Sequence, residues 1–260
     1  MNMPRRPPVG KLFLQLLVCC ICTAAVRSWP TDFEARKYDP DLFRANAVVQ
    51  CNVMDYGAKG DGVTKDTVSI QTAIDDCAAR AQLLALQNGL VNELVMASVI
   101  FPSNHHFLSG PLNLTSNLIL NVSTEASILG SQTPADYTVI APLPTYPMGR
   151  DSVPGPRYQP LIFGYKIENV SLTGGGLING QGAMWWEIRK NKTLLHERPR
   201  LVECMFCNNL LMENITFSDP GFWTLHPYAS NNVTIRNIAI LNPIDSPNTD
   251  GIDPDSTVMC

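Results

Sequence analysis

The sequence predicts an all-β fold, a parallel β-helix whose open end is closed by a helix. Three observations carry that prediction. From Ser98 onward, short β-prone runs alternate with Asn, Gly, Ser and Pro turns. Within that region a phrase recurs, an Asn or small polar residue followed by a short apolar run. It appears as Asn117-Leu-Ile-Leu-Asn-Val122, Asn169-Val-Ser-Leu172, Asn209-Leu-Leu-Met212, Asn232-Val-Thr-Ile235 and Thr257-Val-Met259, and the last three starts lie 23 and 25 residues apart. A spacing of about 20–25 residues built from short strands signals a solenoid. Third, an amphipathic helical pattern stands just upstream of the repeats. A solenoid end otherwise exposes apolar side chains and unpaired strand edges, and a helix can cover them.

The elements follow in chain order. Arg5, Arg6 and Lys11 precede an apolar run from Leu12 to Val26, broken only by Gln15 and Thr23. A basic start, an apolar stretch too short for a comfortable membrane span and small residues after it read as a secretory signal peptide over 1–28. Residues 29–48 are polar and Pro-containing, a lead-in segment. The remainder, 49–260, reads as one domain, long enough to bury a sizeable core. Asn52 to Gly62 is a turn-rich loop punctuated by Gly57, Gly60 and Gly62. Asp66 or Thr67 caps the helix, and Ile70, Ala73, Ile74, Cys77, Ala78, Ala81 and Leu84 recur at helical spacing. Gln87 to Asn92 breaks the pattern. Ser98-Val-Ile-Phe101 is the next strand. Each later repeat carries a second short strand: Leu177-Ile178, Ile215-Thr-Phe217 and Ile238-Ala-Ile-Leu241. No helical pattern is read inside the repeats, which favours a β-helix over a leucine-rich repeat.

The formal net charge is −4. The leader holds four basic and no acidic residues, so the rest carries 15 basic against 23 acidic, a net charge of −8. That balance argues against nucleic acid and against a polybasic membrane contact. It is also awkward for a polyanionic ligand, which would need a local basic patch. Six N-x-[ST] triplets, at Asn113, Asn121, Asn169, Asn191, Asn214 and Asn232, are glycosylation candidates in a secreted chain. Some are equally a turn Asn leading into a β-prone run. Cys51, Cys77, Cys204, Cys207 and Cys260 remain after the leader, an odd number that implies a free thiol or a missing partner. Cys204-x-x-Cys207 has no second pair, and His105-His106 is isolated, so no metal site and no cofactor are read.

Four stretches carry a family resemblance. Asp55-Tyr-Gly-Ala-Lys-Gly-Asp-Gly-Val-Thr-Lys-Asp-Thr67, followed by its helix, resembles the start of pectin-lyase-like β-helices. Gly174-Gly-Gly-Leu-Ile-Asn-Gly-Gln-Gly-Ala-Met-Trp-Trp186 resembles the G-x-I-D-G-x-G-x-x-W-W segment of polygalacturonases, with Asn179 where that family usually has Asp. Phe222-Trp-Thr-Leu-His-Pro227 and Ser246-Pro-Asn-Thr-Asp-Gly-Ile-Asp253 resemble its W-x-x-H-P coil and its first catalytic motif. All four stand in the family's order. The resemblance implies a right-handed parallel β-helix, a glycoside hydrolase of family 28 from a plant-type branch, and a pectic polysaccharide as substrate. It implies a monomer acting outside the cell or in the cell wall, cutting α-1,4-galacturonosidic bonds with inversion.

Inverting hydrolysis needs a protonated carboxyl for the leaving oxygen and a carboxylate that activates water, about 6.5–9.5 Å apart. By resemblance, Asp250 is on the water-activating side. The family's further motifs, Gly-Asp-Asp, Gly-His-Gly and Arg-x-Lys, would fall beyond Cys260. The expectation is therefore a C-terminally incomplete helix, inactive alone, either a fragment of a hydrolase or a non-catalytic product. A pectate or rhamnogalacturonan lyase is disfavoured by Asn248-Thr-Asp-Gly251 following Trp-x-x-His-Pro. Asn248 is read as orienting Asp250, and His226 as packing or orienting a neighbouring coil. Asp253 and Asp255 share a strand face by period two and are read as solvated or cleft-lining acids rather than a calcium site. Trp185 and Trp186 either stack on sugar or are buried under a loop. Arg198, Arg200 and Arg236 are read as scattered basic residues without an assigned role.

Overall fold

A computed structural model of the 260-residue chain describes residues 47–90, 94–145 and 155–258. The expected leader, most of the lead-in segment and Cys260 lie outside the described residues. The rest is a parallel β-helix of three sheets. The first sheet stacks Ala47–Asn52, Met96–Phe101, Leu118–Val122, Glu168–Thr173, Asn208–Glu213 and Asn231–Arg236. The second stacks Leu112–Asn113, Ile162–Tyr165, Val202–Met205 and Leu225–Tyr228. The third stacks Asp61–Lys65, His106–Ser109, Ser127–Gly130, Leu177–Asn179, Thr216–Ser218 and Ala239–Leu241. Each full coil runs first sheet, third sheet, second sheet, then onto the first sheet of the next coil.

In-register pairing turns the alternation of each strand into columns of like residues. Two columns of the first sheet face the interior. One is Val49, Ala97, Leu118, Val170, Leu210 and Val233; the other is Cys51, Val99, Leu120, Leu172, Met212 and Ile235. The third sheet answers with Phe107, Ile128, Ile178, Phe217 and Ile240. The second supplies Leu112, Ile162, Val202 and Leu225, all fully buried. Burying each such side chain stabilises the fold by about 1.5–3 kcal/mol. The columns explain why a period of a few strands, repeated, suffices: no coil can bury its inner face by itself.

At the corners the backbone turns left-handed. Between the second and first sheets the chain turns through the pairs Lys166–Ile167, Phe206–Cys207 and Ala229–Ser230, whose first members have φ of 53°, 55° and 46°. The recurring Asn of the sequence phrase is the second such point. Asn117, Asn169, Asn209 and Asn232 have φ between 54° and 58°. Their amides form a ladder: Asn169 Nδ2 donates to Asn117 Oδ1 at 2.8 Å, Asn209 to Asn169 at 2.8 Å, and Asn232 to Asn209 at 2.6 Å. Asn is one of the few residues that enters this region at low cost, and its short side chain can bond along the stack.

The capping helix spans Thr67–Gln87 and buries Ile70, Ala73, Ile74, Cys77 and Ala81 over the first coils. Its N-cap is Asp66, whose carboxylate accepts from Lys59 N (2.7 Å) and Gly60 N (2.9 Å) rather than from the helix itself. A disulfide joins Cys51 of the first strand to Cys77 of the helix, and Cys204 and Cys207 are free and buried.

Two expectations need correction. The repeats do contain a helix, Ala183–Lys190, in the corner between the third and second sheets. It is a single short insertion, so it adds no helical period to the repeat. Its Trp185 is buried against Tyr137 and Tyr158, with ring centroids at 5.2 and 4.8 Å, and Trp186 donates Nε1–H to Pro220 O at 2.9 Å. Of the two roles open to that pair, packing under the insertion accounts for Trp185. The final phrase, Thr257 onward, follows the coil path without forming a strand: Val258 N donates to Ser230 O at 2.9 Å.

Candidate active site

The outer face of the second sheet is flanked by the long corner segments that arrive from the third sheet. Its strands present one ladder of outward residues, Phe163, Glu203 and His226. The chain after Pro247 extends this ladder. Ile252 bridges Leu225 and Asp255 bridges Tyr228, both in parallel register, which sets Asp253 beside His226. Backbone bonds fix the register: Asp253 N donates to Leu225 O at 2.8 Å, and Asp255 N to Pro227 O at 3.0 Å. Asp253 and Asp255 therefore do share a face, as the period-two pattern predicts.

Asp250 sits at the mouth of this strand, exposed, while its carbonyl accepts from Thr224 N at 2.9 Å. The turn that carries it is held at three points. Asn242 Nδ2 donates to Thr249 O and to Thr224 Oγ1, both at 2.8 Å. Arg198, fully buried, donates to Gly221 O (2.9 Å), Pro247 O (3.0 Å) and Asn248 Oδ1 (3.0 Å), and lies over the Phe222 ring. Asn248 adopts the left-handed φ of 57°. Its side-chain oxygen is thus tethered by Arg198 and reaches Asp250 only through the backbone of the turn.

Beneath Asp253 lies a buried ionic cluster. Glu203 is fully buried; its Oε1 is 2.7 Å from Arg157 Nη1 and its Oε2 is 3.2 Å from Arg200 Nε. Arg200 also meets Glu197 at 2.7 Å and stacks on Trp223. His226 Nδ1 lies 2.8 Å from Glu203 Oε2. Burial alone would raise the Glu203 carboxyl, but Arg200, Arg157 and His226 outweigh it and hold it down to about 2. Burial, with Arg200 and Arg157 beside it, lowers the His226 imidazole against the opposing pull of Glu203. Asp253 is pushed up to about 6 by burial and by the Asp250 charge, with Arg200 opposing. Two carboxyls in unlike surroundings, one of them keeping its proton to a higher pH than usual, suit separate acid and base roles.

The sequence motif thus brings Asn248, Asp250 and Asp253 together, and His226 joins them from the preceding coil. Arg198 and Arg200 are not scattered: both are buried and converge here, whereas Arg236 pairs with Glu213 at 2.7 Å elsewhere. Arg157 and Glu203 were not foreseen. The available signal was Glu197-Arg-Pro-Arg200 running directly into Leu201-Val-Glu-Cys-Met205, an otherwise apolar strand interrupted by a charge. His106 bonds Ser127 Oγ at 2.8 Å on the third sheet, away from this cluster. A concavity of about 550 Å³ on that sheet, lined in part by His106, Glu125, Thr216 and Asp219 and by Gly175, Gly176 and Leu177 of the Gly174–Trp186 stretch, contains none of Asn248, Asp250, Asp253 and His226. Chemistry, not volume, therefore locates the site. Among the described residues no group of three or more His, Cys, Asp or Glu is arranged to hold a metal ion.

Comparison with known proteins identifies the family of the chain. The model of glycosyl hydrolases family 28 matches residues 92–259, and that of rhamnogalacturonase A/epimerase, pectate lyase-like proteins matches residues 50–133. A probable polygalacturonase of Vitis vinifera is 36% identical over 224 residues, covering 86% of this chain and 42% of that protein. A probable polygalacturonase of Arabidopsis thaliana is 29% identical, covering 82% of this chain and 40% of its own length. The chain thus spans about two fifths of these relatives. Among solved structures, a hyperthermoactive exopolygalacturonase from Thermotoga maritima superposes with a TM-score of 0.62 at 25% identity, covering 82% of this chain and 52% of that one. A family 28 exopolygalacturonase from Yersinia enterocolitica, 22% identical, shares the fold with a TM-score of 0.63 over 80% of this chain and 41% of that one.

Proposed function

The chain belongs to glycosyl hydrolases family 28, and from that premise we propose that it is the motif-bearing part of a secreted polygalacturonase-type hydrolase. The substrate is a pectic polysaccharide of the polygalacturonate type, cut at α-1,4-galacturonosidic bonds with inversion. The observation that supports this most is the convergence of Asp250 and Asp253 on one outer sheet face, beside a buried cluster of arginines.

In this reading Asp250, exposed on a turn fixed by Arg198 and Asn242, holds the attacking water. Inversion then needs a second carboxyl about 6.5–9.5 Å away as proton donor. The resemblance assigns that donor to a Gly-Asp-Asp stretch, which the 260 residues do not contain. Residues 29–260 produced alone are therefore expected to release no reducing ends. The basic patch that an acidic chain needs for a polyuronide is not Arg157 and Arg200, which are buried and paired with Glu203 and Glu197. Secretion, N-glycosylation, a cell-wall location and a monomeric state complete the proposal.

The test is hydrolysis of polygalacturonic acid by the protein expressed from its complete reading frame. Reducing-end release with inverted product anomers, reduced at least about 100-fold in Asp250→Asn, is expected for removal of a group acting on the reacting atoms. An unsaturated, calcium-dependent product would instead place the protein among lyases, and activity unchanged in Asp250→Asn would remove Asp250 from the chemistry.

A further inference from the structure

Among the described Phe, Trp and Tyr side chains two stand out in solvent, Tyr165 at 50% exposure and Phe206 at 40%. They touch each other edge to face, with ring centroids 5.9 Å apart. Tyr165 ends the second-sheet strand Ile162–Tyr165. Ile162 faces the interior, so by the strand's alternation Phe163 and Tyr165 point outward. Register places Tyr165 in one column with Met205 and Tyr228, and Tyr228 bridges Asp255. Tyr165 therefore stands on the outer face that also carries Asp253, three coils before it. By coil and residue spacing it lies about 20 Å from Asp250. Phe163 lies alongside Tyr165 at 6.5 Å, and Phe206 leans its edge on buried Tyr228 at 5.5 Å, so the two exposed rings are backed by packed ones.

The corner beside these rings carries a cation. Lys166 and Phe206 hold the left-handed corner position of successive coils at φ 53° and 55°, and Ala229 and Ser256 hold it on the next two. A bulky side chain is uncommon at such a backbone, and Ala229 and Ser256 show that the corner itself does not call for one. Lys166 N and Phe206 N donate to Met205 O and Tyr228 O, both at 2.9 Å, which fixes each corner to the coil that follows. The Lys166 ammonium lies 5.3 Å from the centroid of the Tyr165 ring. Among the described residues neither this ammonium nor the Tyr165 hydroxyl has a hydrogen-bond or ion-pair partner. The nearest acid in sequence, exposed Glu168, lies past the corner at the start of a first-sheet strand.

Resting on the hydrolase reading of this face, we propose that Tyr165, Phe206 and Lys166 form a distal binding subsite for the pectic chain. The exposed rings take the apolar C–H face of a galacturonate unit, and the Lys166 ammonium pairs with its carboxylate. Sugar C–H groups suit the negative face of an aromatic ring, and a uronate adds the charge that the lysine answers. Lys166 thus supplies a local positive group that Arg157 and Arg200, occupied by Glu203 and Glu197, do not. Two rings and a lysine fall far short of the roughly 800 Å² per partner of a stable protein interface, but they match the size of a single sugar unit. The subsite lies several units from Asp250 along the same face, so it rewards long chains and leaves short oligomers unaided.

The deciding experiment is retardation in native gels cast with polygalacturonate. The protein is expressed from its complete reading frame and carries Asp250→Asn, so that the polymer is not consumed. We expect the gel to retard it, with an apparent affinity that falls at least about twofold in Tyr165→Ala and in Lys166→Gln and returns in Tyr165→Trp. Retardation that is absent in the parent, or unchanged in both variants, overturns the proposal. So does equal retardation by a neutral α-1,4-glucan, which would leave Lys166 without a role. Self-association that Tyr165→Ala abolishes would give the face to a second copy of the chain and overturn it as well. Lys166→Gln alters only an exposed side chain, so the test survives if Tyr165→Ala fails to fold. Failure of the intact protein to cleave polygalacturonate would sink the hydrolase reading; the retardation is read without cleavage and decides the subsite separately.

Discussion

Replacing Asn209 by alanine tests the corner chemistry of the solenoid. Two effects follow from its position. Its backbone stands at φ 57°, where a Cβ-bearing residue without a locally bonding side chain costs about 1 kcal/mol more. Its side chain sits in mid-ladder, donating to Asn169 at 2.8 Å and accepting from Asn232 at 2.6 Å. Each half-buried bond contributes about 1 kcal/mol, and each broken bond strands a partner. The sum is a loss of about 3 kcal/mol for Asn209→Ala. Asn209→Gly loses the bonds but not the backbone freedom, so it should cost about 1 kcal/mol less than alanine, less whatever glycine adds to the entropy of the unfolded chain. Urea unfolding of the protein from its complete reading frame, followed by far-ultraviolet circular dichroism with the m-value held in common, measures both. Equal losses for alanine and glycine would refute the backbone argument. A loss under about 0.5 kcal/mol for alanine would refute the ladder.

Glu203→Gln strips the counter-charge from Arg157 and Arg200 in a dry site and should cost about 3–5 kcal/mol, read as a fall in thermal midpoint. The same carboxyl, depressed in the fold to about 2, contributes stability that is fully present above its ordinary range near 4.5 and is lost as pH falls through about 2. Asp253 runs the other way: raised to about 6, it makes the fold less stable as pH climbs from about 4 to 6, and Asp253→Asn should flatten that part of the stability profile. Arg198→Lys keeps the charge but cannot span Gly221, Pro247 and Asn248 together; turnover on polygalacturonate should drop at least about tenfold as the turn bearing Asp250 slackens, with unfolding temperature the control. Glycopeptide mapping should find sugar on Asn191 and Asn214, which are exposed, and none on Asn169 or Asn232, whose Nδ2 groups already donate within the ladder.

The β-helix was legible because its corner rule is written in a single letter. The Asn that opens four of the five phrases is a left-handed residue of its coil, so reading the phrase amounts to reading a turn. The helix Thr67–Gln87 was legible for the ordinary reason, an apolar stripe at Ile70, Ala73, Ile74, Cys77 and Ala81. The site divided differently. Asn248, Asp250 and Asp253 lie within one short stretch and announce themselves as a motif. The buried cluster beneath them does not: Arg157, Glu203 and His226 are brought to one face by coil stacking, across sequence separations of 23 to 46 residues that no local pattern marks. Periodicity finds what repeats along a strand; a buried ion cluster is a coincidence between coils, visible only once their register is known. The pairing of Cys51 with Cys77 escaped for the same reason, since an odd cysteine count leaves every pairing open.

The two kinds of corner divide the work of the molecule as a book divides its binding from its fore-edge. On one side each turn of chain is stitched by the pairs Lys166–Ile167, Phe206–Cys207 and Ala229–Ser230, all the same length. On the other, the leaves are cut to different widths, by residues 131–161, 180–201 and 219–224. Pages of unequal width can share one spine because stitching, not width, sets their alignment. Lengthening a leaf away from Arg198, Gly221 and Thr224, which hold the Asp250 turn, therefore reshapes the cleft's rim without disturbing how Asp250 and Asp253 are aimed.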